Sequence, residues 1–288
     1  MKYVLYHKNC ADGFGAAYAF WKKYPEYKYI AVGYGEEVPP LPEAEHVFIV
    51  DFSYPRETLL KMRGQFPLTV LDHHKTAQED LQGLEFAHFN MDKSGARLAW
   101  EFVHGDAEPP KIILYIEDRD LWKKALPFTE EISAYMFQFE RIFDNYKFIE
   151  YALENMFDKC TSNGESILNY IKILVNQLCY KAIQGTLNGI EVLFVNTPIL
   201  QSEVGNKLIT DGKGTIVACY ADDSKGGIYV SLRSRKDVDS SGISKSFGGG
   251  GHKNASGFHV QNSPTISFLN GHYEAQRRNG NHNIQSVN

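Results

Sequence analysis

Leu68-Thr69-Val70-Leu71-Asp72-His73-His74 joins a short apolar run to an acid and two histidines. The apolar run favours a buried strand, and the polar triplet follows that strand directly. Two earlier stretches repeat this arrangement. Tyr3 to Tyr6 leads into His7 to Gly13, and Val47 to Val50 leads into Asp51-Phe52-Ser53. Because the carboxyl ends of strands form the ligand crevice in an open parallel sheet, the three polar clusters are expected to converge in space.

The wider pattern predicts an α/β fold in two parts. Around these strands the chain alternates apolar runs with helix-like segments, which is typical of a largely parallel sheet flanked by helices. Residues 128–185 have apolar side chains at spacings of three and four, and Asn163-Gly164 is expected to divide this stretch into two helices. Short strands follow, at Ile190 to Val195, Gly214 to Tyr220 and Gly227 to Leu232. The predicted organisation is a first domain over residues 1–127, a helical connector over 128–185, a smaller α/β domain over 186–273 and a polar tail over 274–288.

Composition limits both the partners and the location of the protein. The 288 residues carry a net charge of −5, so long duplex nucleic acid is not an expected partner, and a polyanion would need metal ions and a few local cations. No apolar run approaches the roughly 20 residues that a membrane span requires, and no signal peptide is evident, so a cytoplasmic protein without a membrane partner is expected. The four cysteines are scattered singly and predict neither a disulfide framework nor a zinc ribbon.

The predicted crevice contains the side chains that hard divalent cations bind. Mn²⁺ and Mg²⁺ prefer carboxylate oxygens with some imidazole, and two ions a few Å apart need roughly six or seven protein ligands. Adjacent residues of a strand point to opposite sides, so only one of His73 and His74 would face the crevice unless the chain turns there. A polar strand end without a ligand is the alternative for the histidine pair, and the accompanying carboxylates favour a metal site. The candidates are His7, Asp12, Asp51, Asp72, His73, His74 and Asp118.

A second informative stretch is rich in glycine. Gly248 to Gly251 precedes His252-Lys253-Asn254, and Ala255-Ser256 follows. Consecutive glycine N–H groups can face one anion, and Ala255-Ser256 is expected to open a helix whose N-terminus adds positive potential. A flexible linker is the alternative. His252 and the preceding Arg233-Ser234-Arg235 favour an anion site.

In this order, the motifs resemble those of the DHH/DHHA1 phosphoesterases. That family includes RecJ exonucleases, nano-RNases that degrade short RNAs, cyclic-dinucleotide phosphodiesterases and phosphoadenosine-phosphate phosphatases. The resemblance extends from about residue 3 to about residue 260, and the helical middle carries no motif. The matching motifs are His7 with Cys10-Ala11-Asp12-Gly13, Asp51-Phe52-Ser53, Asp72-His73-His74, Asp118-Arg119-Asp120-Leu121-Trp122, Ser231-Leu232-Arg233-Ser234 and Gly248 to Gly257.

The resemblance implies an N-terminal DHH domain that holds two Mn²⁺ ions, with Mg²⁺ or another divalent ion as a substitute. Asp51 would bridge the ions, Asp72 would orient the histidines, and His74 would contact the scissile phosphate or the attacking water. The implied metal ligands are His7, Asp12, Asp51, His73 and Asp118. In the C-terminal DHHA1 domain the implied substrate-binding residues are Arg233, Ser234, Gly249, Gly250, Gly251 and His252.

Two positions of the metal motifs leave alternatives open. Cys10 stands where many family members have the first carboxylate of an Asp-x-Asp pair, so it is either a soft metal ligand or a packed thiol. In the fourth motif both Asp118 and Asp120 are candidates, and the following Trp122 favours Asp118. Asp120 would then be an orienting residue or a surface carboxylate. Ser94 is predicted to cap the N-terminus of a helix.

We therefore expect a metal-dependent phosphodiesterase or exonuclease that hydrolyses short single-stranded oligonucleotides or linear dinucleotides by in-line attack of water. A polyphosphate or pAp-type phosphatase is the alternative activity. A nucleotide-binding module with weakened catalysis is the non-enzymatic alternative. The oligomeric state is left open, with a homodimer as one candidate.

Overall fold

The structure is a computed structural model that describes residues 1–222 and 226–261. The predicted polar tail over residues 274–288 lies outside the described residues. Packing divides the chain into two compact units, the first ending at Lys172 and the second beginning at Ile173. No helix within the described ranges is both long and apolar enough to cross a membrane.

The first unit is built from five strands and the helices that flank them. Its strands are β1 (Lys2–His7), β2 (Lys28–Val32), β3 (His46–Val50), β4 (Leu68–Asp72) and β5 (Ala87–Phe89). Its helices are α1 (Ala11–Lys23), α2 (Arg56–Arg63), α3 (Lys75–Asp80), α4 (Gly95–His104), α5 (Lys111–Asp120), α6 (Thr129–Phe137), α7 (Phe143–Asn155) and the larger part of α8 (Phe157–Cys179).

The five strands form one parallel sheet in the order β2-β1-β3-β4-β5, which confirms the predicted α/β fold with a largely parallel sheet. The strands predicted from buried apolar runs are present as β1, β3 and β4. The sequence analysis did not predict β2 and β5, which are short and mostly half-buried or exposed, so they lack a continuous apolar run. β2 pairs with one edge of β1, and β3, the next strand in the chain, pairs with the other edge. The strand order therefore reverses at β1. Ligand crevices form at such a switch point.

Both faces of this sheet are covered, so its strands have apolar side chains on both sides. Val4 of β1 belongs to a core shared with α1, α4, α5 and α7. Its neighbours Tyr3 and Leu5 belong to a second core on the other face, which includes Leu59 and Met62 of α2. Alternate residues of one strand therefore anchor two layers of helices and fix the position of the strand's carboxyl end.

The helical segment differs from the predicted pair of helices. Three helices, α6, α7 and α8, occupy it, and Gly164 lies inside α8 instead of ending a helix. A Cβ at Gly164 would overlap the backbone carbonyl of Glu131 in α6. The glycine therefore allows a close approach between two helices, and this packing outweighs its low helix propensity.

Gly164→Ala is expected to destabilise the protein by about 1–3 kcal/mol, because an added methyl group must push two packed helices apart. Helix propensity alone predicts the opposite sign, a gain of up to about 1 kcal/mol. Urea unfolding followed by circular dichroism measures the difference, with Asn163→Ala at the exposed neighbouring position as the control. A more stable Gly164→Ala variant would show that the close contact is absent.

The second unit contains a six-stranded mixed sheet in the order β10-β11-β9-β8-β7-β6. The pair β7 and β8 is parallel and is joined through a helix, and the other pairs are antiparallel. The predicted strands of this region are present as β7, β8 and β9. The elements are β6 (Ile183–Leu187), β7 (Ile190–Asn196), α9 (Gln201–Thr210), β8 (Ile216–Asp222), β9 (Gly227–Ser234), α10 (Ser241–Ser246), β10 (Gly250–His252) and β11 (Ala255–Gln261).

The prediction that Ala255-Ser256 opens a helix is wrong. These residues begin β11, which pairs with β9 and with the short strand β10. Gly249 and Gly251 explain the difference, because a Cβ at either position would overlap the backbone of β11. The glycines therefore serve close strand packing.

Candidate metal centre and phosphate-binding residues

The polar clusters predicted to converge do so at the carboxyl ends of the parallel strands. His7 is the last residue of β1, Asp51 follows β3, and the Asp72-His73-His74 triplet ends β4. Asp12 lies in the first turn of α1, and Asp120 is the last residue of α5. The site therefore lies beside the switch point of the sheet.

His73 lies at the centre of three carboxylates. Its Nε2 atom is 3.1 Å from Oδ1 of Asp51, 3.4 Å from Oδ2 of Asp12 and 3.6 Å from Oδ2 of Asp120. The side chains of His73, Asp12 and Asp51 are almost completely buried, and Asp120 is partly exposed. Three carboxylates around one imidazole leave an excess of negative charge in a dry environment, which a divalent cation would neutralise.

The first turn of α4 fixes Asp12. Backbone N–H groups of Gly95 and Ala96 donate hydrogen bonds to its two carboxylate oxygens, at 2.5 and 2.9 Å. The N-terminus of a helix stabilises an anion, so these backbone contacts favour the charged carboxylate. The predicted cap is confirmed, because the Ser94 side chain accepts a hydrogen bond from the backbone N–H of Arg97. Helix α4 therefore begins directly beside the Asp12 carboxylate.

Asp51 occupies a backbone conformation that few residues adopt. Its φ angle is +61°, in the left-handed region where Asp and Asn are tolerated better than most residues. A Cβ at Gly95 would lie 2.5 Å from Cβ of Asp51, so the glycine leaves room for the acid. Oδ2 of Asp51 lies 3.4 Å from Nδ1 of His7, and neither atom has a hydrogen-bond partner within the described part of the chain.

Asp72 orients the two histidines. Its Oδ1 atom accepts a hydrogen bond from the backbone N–H of His73 at 2.7 Å and lies 2.6 Å from Nδ1 of His74. Its Oδ2 atom accepts a hydrogen bond from Ser53 at 2.6 Å. The chain turns into α3 directly after β4, so both histidine rings lie on the same side, with centroids 4.8 Å apart. A straight strand would have separated them.

The structure places Asp120, and not Asp118, beside His73. Backbone N–H groups of Ala125 and Leu126 donate to the Asp118 carboxylate at 2.9 and 3.1 Å, and the hydroxyl of Thr129 also donates to it. Asp118 is therefore engaged by the loop that follows α5. The structure therefore brings the alternative candidate, Asp120, to the cluster where Asp118 was expected.

The pKa values of the cluster reflect its excess of negative charge. Burial and the charges of Asp51 and Asp120 raise the pKa of Asp12 well above its usual value. Burial opposes the charged form of His73, but the hydrogen bond to Asp51 and the charges of Asp120 and Asp12 raise its pKa to about 10. A divalent cation would favour the deprotonated forms of Asp12 and His73, so metal binding is expected to release protons.

These residues fit a divalent metal centre. The ligand atoms of Asp12, Asp51 and His73 lie within 4.8 Å of one another, and so do those of His7, Cys10 and Asp51. Asp51 belongs to both groups, as a bridging carboxylate would. The unpartnered atoms of Asp51 and His7 face each other, which is the arrangement that an ion between them would satisfy.

Cys10 is the least suitable Mn²⁺ ligand in the group of His7, Cys10 and Asp51. Burial and the charges of Asp51, Asp120 and Asp12 raise the pKa of its thiol well above the usual value. A protonated thiol is a poor ligand for Mn²⁺, and a thiolate favours softer ions such as Zn²⁺. The site that includes Cys10 is therefore expected to bind Mn²⁺ more weakly than the site around His73.

Cys10→Asp is expected to raise the Mn²⁺ content from about one to about two ions per chain, since an added carboxylate suits this hard cation. Elemental analysis after dialysis against Mn²⁺ measures the content. Cys179→Ser, a change in the second unit, is the control and should leave it unaltered. Two tightly held Mn²⁺ ions in the wild type would show that Cys10 imposes no asymmetry.

The candidate phosphate-binding residues lie in the second unit. Nη1 of Arg233 donates hydrogen bonds to Oγ of Ser231 at 3.0 Å and to the backbone carbonyl of Leu232 at 2.8 Å, and its Nη2 donates to Ser202 at 2.6 Å. These contacts hold the guanidinium in one orientation. Gly250, Gly251 and His252 form β10, and Gly249 precedes it.

Ser234 has a structural role. Its hydroxyl donates a hydrogen bond to the backbone carbonyl of Val238 at 2.8 Å and accepts one from Nδ2 of Asn254 at 3.0 Å. The side chain is also buried. The hydroxyl is thus already engaged within the second unit, and the substrate-binding role of Ser234 stays a prediction.

Tyr34 is a neighbour of the site that no sequence pattern identified. It follows β2, and its ring centroid lies 4.9 Å from that of His7 and 6.1 Å from that of His74. Half of its surface is exposed. An isolated tyrosine after an edge strand belongs to no recognisable motif, so the sequence does not indicate that Tyr34 lies at the site. Its position becomes evident only from the packing of the strand ends.

Comparison with known proteins identifies a domain family for part of the chain and relatives of its fold. Residues 192–274 match the family model of the DHHA1 domain. The uncharacterized protein R106 of Acanthamoeba polyphaga mimivirus is 34% identical over an alignment that covers 88% of this chain and 66% of that protein. This chain thus spans about two thirds of the length of that relative.

Two solved structures are similar across nearly the whole chain. RecJ from Thermus thermophilus, crystallised with Mn²⁺, superposes with a TM-score of 0.52 at 14% identity, covering 96% of this chain and 52% of RecJ. The pGpG-specific phosphodiesterase PggH from Vibrio cholerae gives a TM-score of 0.46 at 11% identity, covering 96% of this chain and 99% of PggH.

The DHHA1 match confirms the resemblance over residues 192–274, and the likeness to RecJ agrees with the predicted fold.

Proposed function

We propose that this protein is a divalent-metal-dependent phosphodiesterase that hydrolyses short single-stranded oligonucleotides or linear dinucleotides. The buried cluster of Asp12, Asp51, His73 and Asp120 carries this proposal. Its carboxylates surround one imidazole within 3.6 Å. The RecJ structure of similar fold was determined with Mn²⁺, which supports the same choice of metal here.

His7, Asp12, Asp51, His73 and Asp120 would hold the metal. When bound, divalent ions would polarise the phosphoryl group and lower the pKa of a bound water. Asp72 holds His74 through a 2.6 Å contact, and His74 would donate a hydrogen bond to a phosphate oxygen. The buried strand ends would keep these groups in a fixed geometry during the reaction.

The composition of the chain and the candidate phosphate-binding residues support a short anionic substrate. The net charge of −5 disfavours long nucleic acid, whose binding depends on many cationic contacts. Arg233, with its orientation fixed by three hydrogen-bond acceptors, and His252 would bind substrate phosphate. A short substrate needs only a few such contacts.

A substrate panel resolved by chromatography tests the proposal. It contains linear dinucleotides, single-stranded 5-mers, cyclic dinucleotides, pAp and polyphosphate, each incubated with the protein and Mn²⁺. We expect fastest hydrolysis of the linear dinucleotides and 5-mers. Hydrolysis confined to polyphosphate or pAp would overturn the substrate assignment. Binding of dinucleotides without hydrolysis under Mn²⁺, Mg²⁺ and Zn²⁺ would instead show a nucleotide-binding module.

A further inference from the structure

Tyr34 is a half-exposed aromatic residue at the rim of the candidate metal centre. Its ring meets the imidazole rings of His7 and His74 edge to face, at interplanar angles of 70° and 84° and centroid distances of 4.9 and 6.1 Å. His7 is a candidate metal ligand, and His74 is the residue expected to contact the scissile phosphate. Tyr34 is 50% exposed, so a flat group of a bound ligand can reach its ring.

A short turn fixes the position of Tyr34. The backbone N–H of Glu36 donates a hydrogen bond to the carbonyl of Gly33 at 3.2 Å, and the N–H of Gly33 donates to Oε2 of Glu36 at 2.9 Å. Oε1 of the same carboxylate accepts a hydrogen bond from Nζ of Lys8 at 2.8 Å. Because Lys8 follows His7 at the end of β1, the turn is tied to the strand that carries a candidate metal ligand.

Core packing does not account for this tyrosine. Within the described part of the first unit, Tyr34 belongs to neither hydrophobic core, whereas Val32, two residues earlier, is buried in the core that includes Leu59. Single exposed apolar side chains are common on protein surfaces and need no explanation by themselves. Tyr34 differs from them because its ring contacts two histidines of the candidate site. The structural alternative is that the ring only packs against the His7 imidazole.

An aromatic ring beside a phosphate-binding residue suits a nucleobase. The base of a nucleotide is joined to its phosphate through one sugar, so a substrate whose scissile phosphate contacts His74 can place a neighbouring base against Tyr34. Stacking of bases on aromatic side chains tolerates any sequence, because every base has a π face. A ring that is already fixed by a turn also loses little conformational freedom when a base stacks on it.

We propose that Tyr34 is a stacking platform for a nucleobase next to the scissile phosphate. This inference rests on the proposed phosphodiesterase function and deepens it. Stacking on Tyr34 favours nucleotide substrates over polyphosphate and other phosphate compounds that carry no base. It also predicts little preference among the four bases.

Dinucleotides that lack one base test the platform. The dinucleotide pApA is compared with two analogues, one without the adenine of the 5′ nucleoside and one without that of the 3′ nucleoside. In the wild type, kcat/KM should be higher for pApA than for at least one analogue. Tyr34→Leu is expected to lower this ratio of kcat/KM values by about 5- to 100-fold, the range for the loss of one base-stacking contact. Tyr34→Phe keeps the aromatic face and should keep the ratio.

Tyr151→Leu is the matched control, because Tyr151 is a 59% exposed tyrosine of α7 in the same unit, and it should leave the ratio unchanged. If Tyr34 only packs against His7, Tyr34→Leu slows hydrolysis of pApA and of both analogues equally. An unchanged ratio in Tyr34→Leu would therefore overturn the platform. A ratio that falls as far in Tyr34→Phe as in Tyr34→Leu would assign the effect to the hydroxyl group and would also overturn stacking.

Fluorescence distinguishes a failure of this inference from a failure of the proposed function. Each analogue is prepared with 2-aminopurine as its single base, whose fluorescence falls when it stacks on an aromatic ring, and the signal is followed after rapid mixing with the protein and Mn²⁺. Quenching in the wild type that is lost in Tyr34→Leu and kept in Tyr34→Phe supports the platform even if neither compound is hydrolysed. Hydrolysis with equal quenching in the wild type and Tyr34→Leu would overturn the platform and leave the proposed function intact.

Discussion

Asp51→Asn is expected to reduce dinucleotide hydrolysis by more than about 100-fold. Loss of a residue that only supports a metal ligand costs up to about 100-fold, and Asp51 is proposed to bind the metal itself. Asp51 contributes to both groups of candidate ligands and is the residue placed to bridge two ions. A neutral amide is a poor bridge between two cations. Asn tolerates the left-handed backbone of this position, so the fold should remain intact.

Circular dichroism and thermal unfolding establish that the Asp51→Asn variant is folded, and chromatography measures its hydrolysis rate at saturating Mn²⁺. Asp106→Asn is the matched control, because Asp106 is an exposed carboxylate of the same unit. Near wild-type activity of Asp51→Asn in saturating Mn²⁺ would contradict a metal centre at this residue.

Substitutions of Asp118 and Asp120 should affect different properties of the protein, although the two acids are only two residues apart. Asp120→Asn is expected to lose bound Mn²⁺ and activity while keeping its stability, because it removes one of three mutually repelling carboxylates. Asp118→Asn is expected to lose about 1–3 kcal/mol of stability, because an amide group replaces a carboxylate that accepts three hydrogen bonds.

Elemental analysis and urea unfolding of both variants separate these effects. Metal content should fall in Asp120→Asn, and the free energy of unfolding should fall in Asp118→Asn. The reverse assignment, with Mn²⁺ lost and stability kept in Asp118→Asn, would restore Asp118 as the ligand and remove Asp120 from the site.

The sequence could predict the sheet edge and most of the candidate ligands. Buried apolar runs followed at once by polar clusters mark strand ends, and parallel strand ends meet at one edge. His7, Asp51 and the Asp72-His73-His74 triplet lie together for this reason. The type of each side chain also indicated hard divalent cations before any distance was known.

The choice between Asp118 and Asp120 could not be predicted in the same way. Two residues apart on a helix, they point in directions that differ by roughly 200° about its axis. Only the packing of α5 decides which one faces His73. The following Trp122 favoured Asp118 in the sequence, and the structure shows that Asp118 instead shapes the loop that carries this tryptophan.

Glycine residues account for the other differences between the predicted and the observed secondary structure. Gly164 suggested a helix break, and the run ending at Gly251 suggested a loop before a helix. In both places the glycine accommodates a close approach of another backbone, to α6 for Gly164 and to β11 for Gly251. Contacts between segments distant in sequence cannot be read from local propensity.

Stepwise addition of Mn²⁺ to protein stripped with EDTA tests most directly whether the cluster is the metal centre of a phosphodiesterase. Bound Mn²⁺ and the rate of pApA hydrolysis are measured on the same samples. The expected result is no hydrolysis without metal, a rate that rises with occupancy, and loss of both in Asp51→Asn. Hydrolysis that persists without metal, or full occupancy without hydrolysis of any dinucleotide or 5-mer, would contradict it.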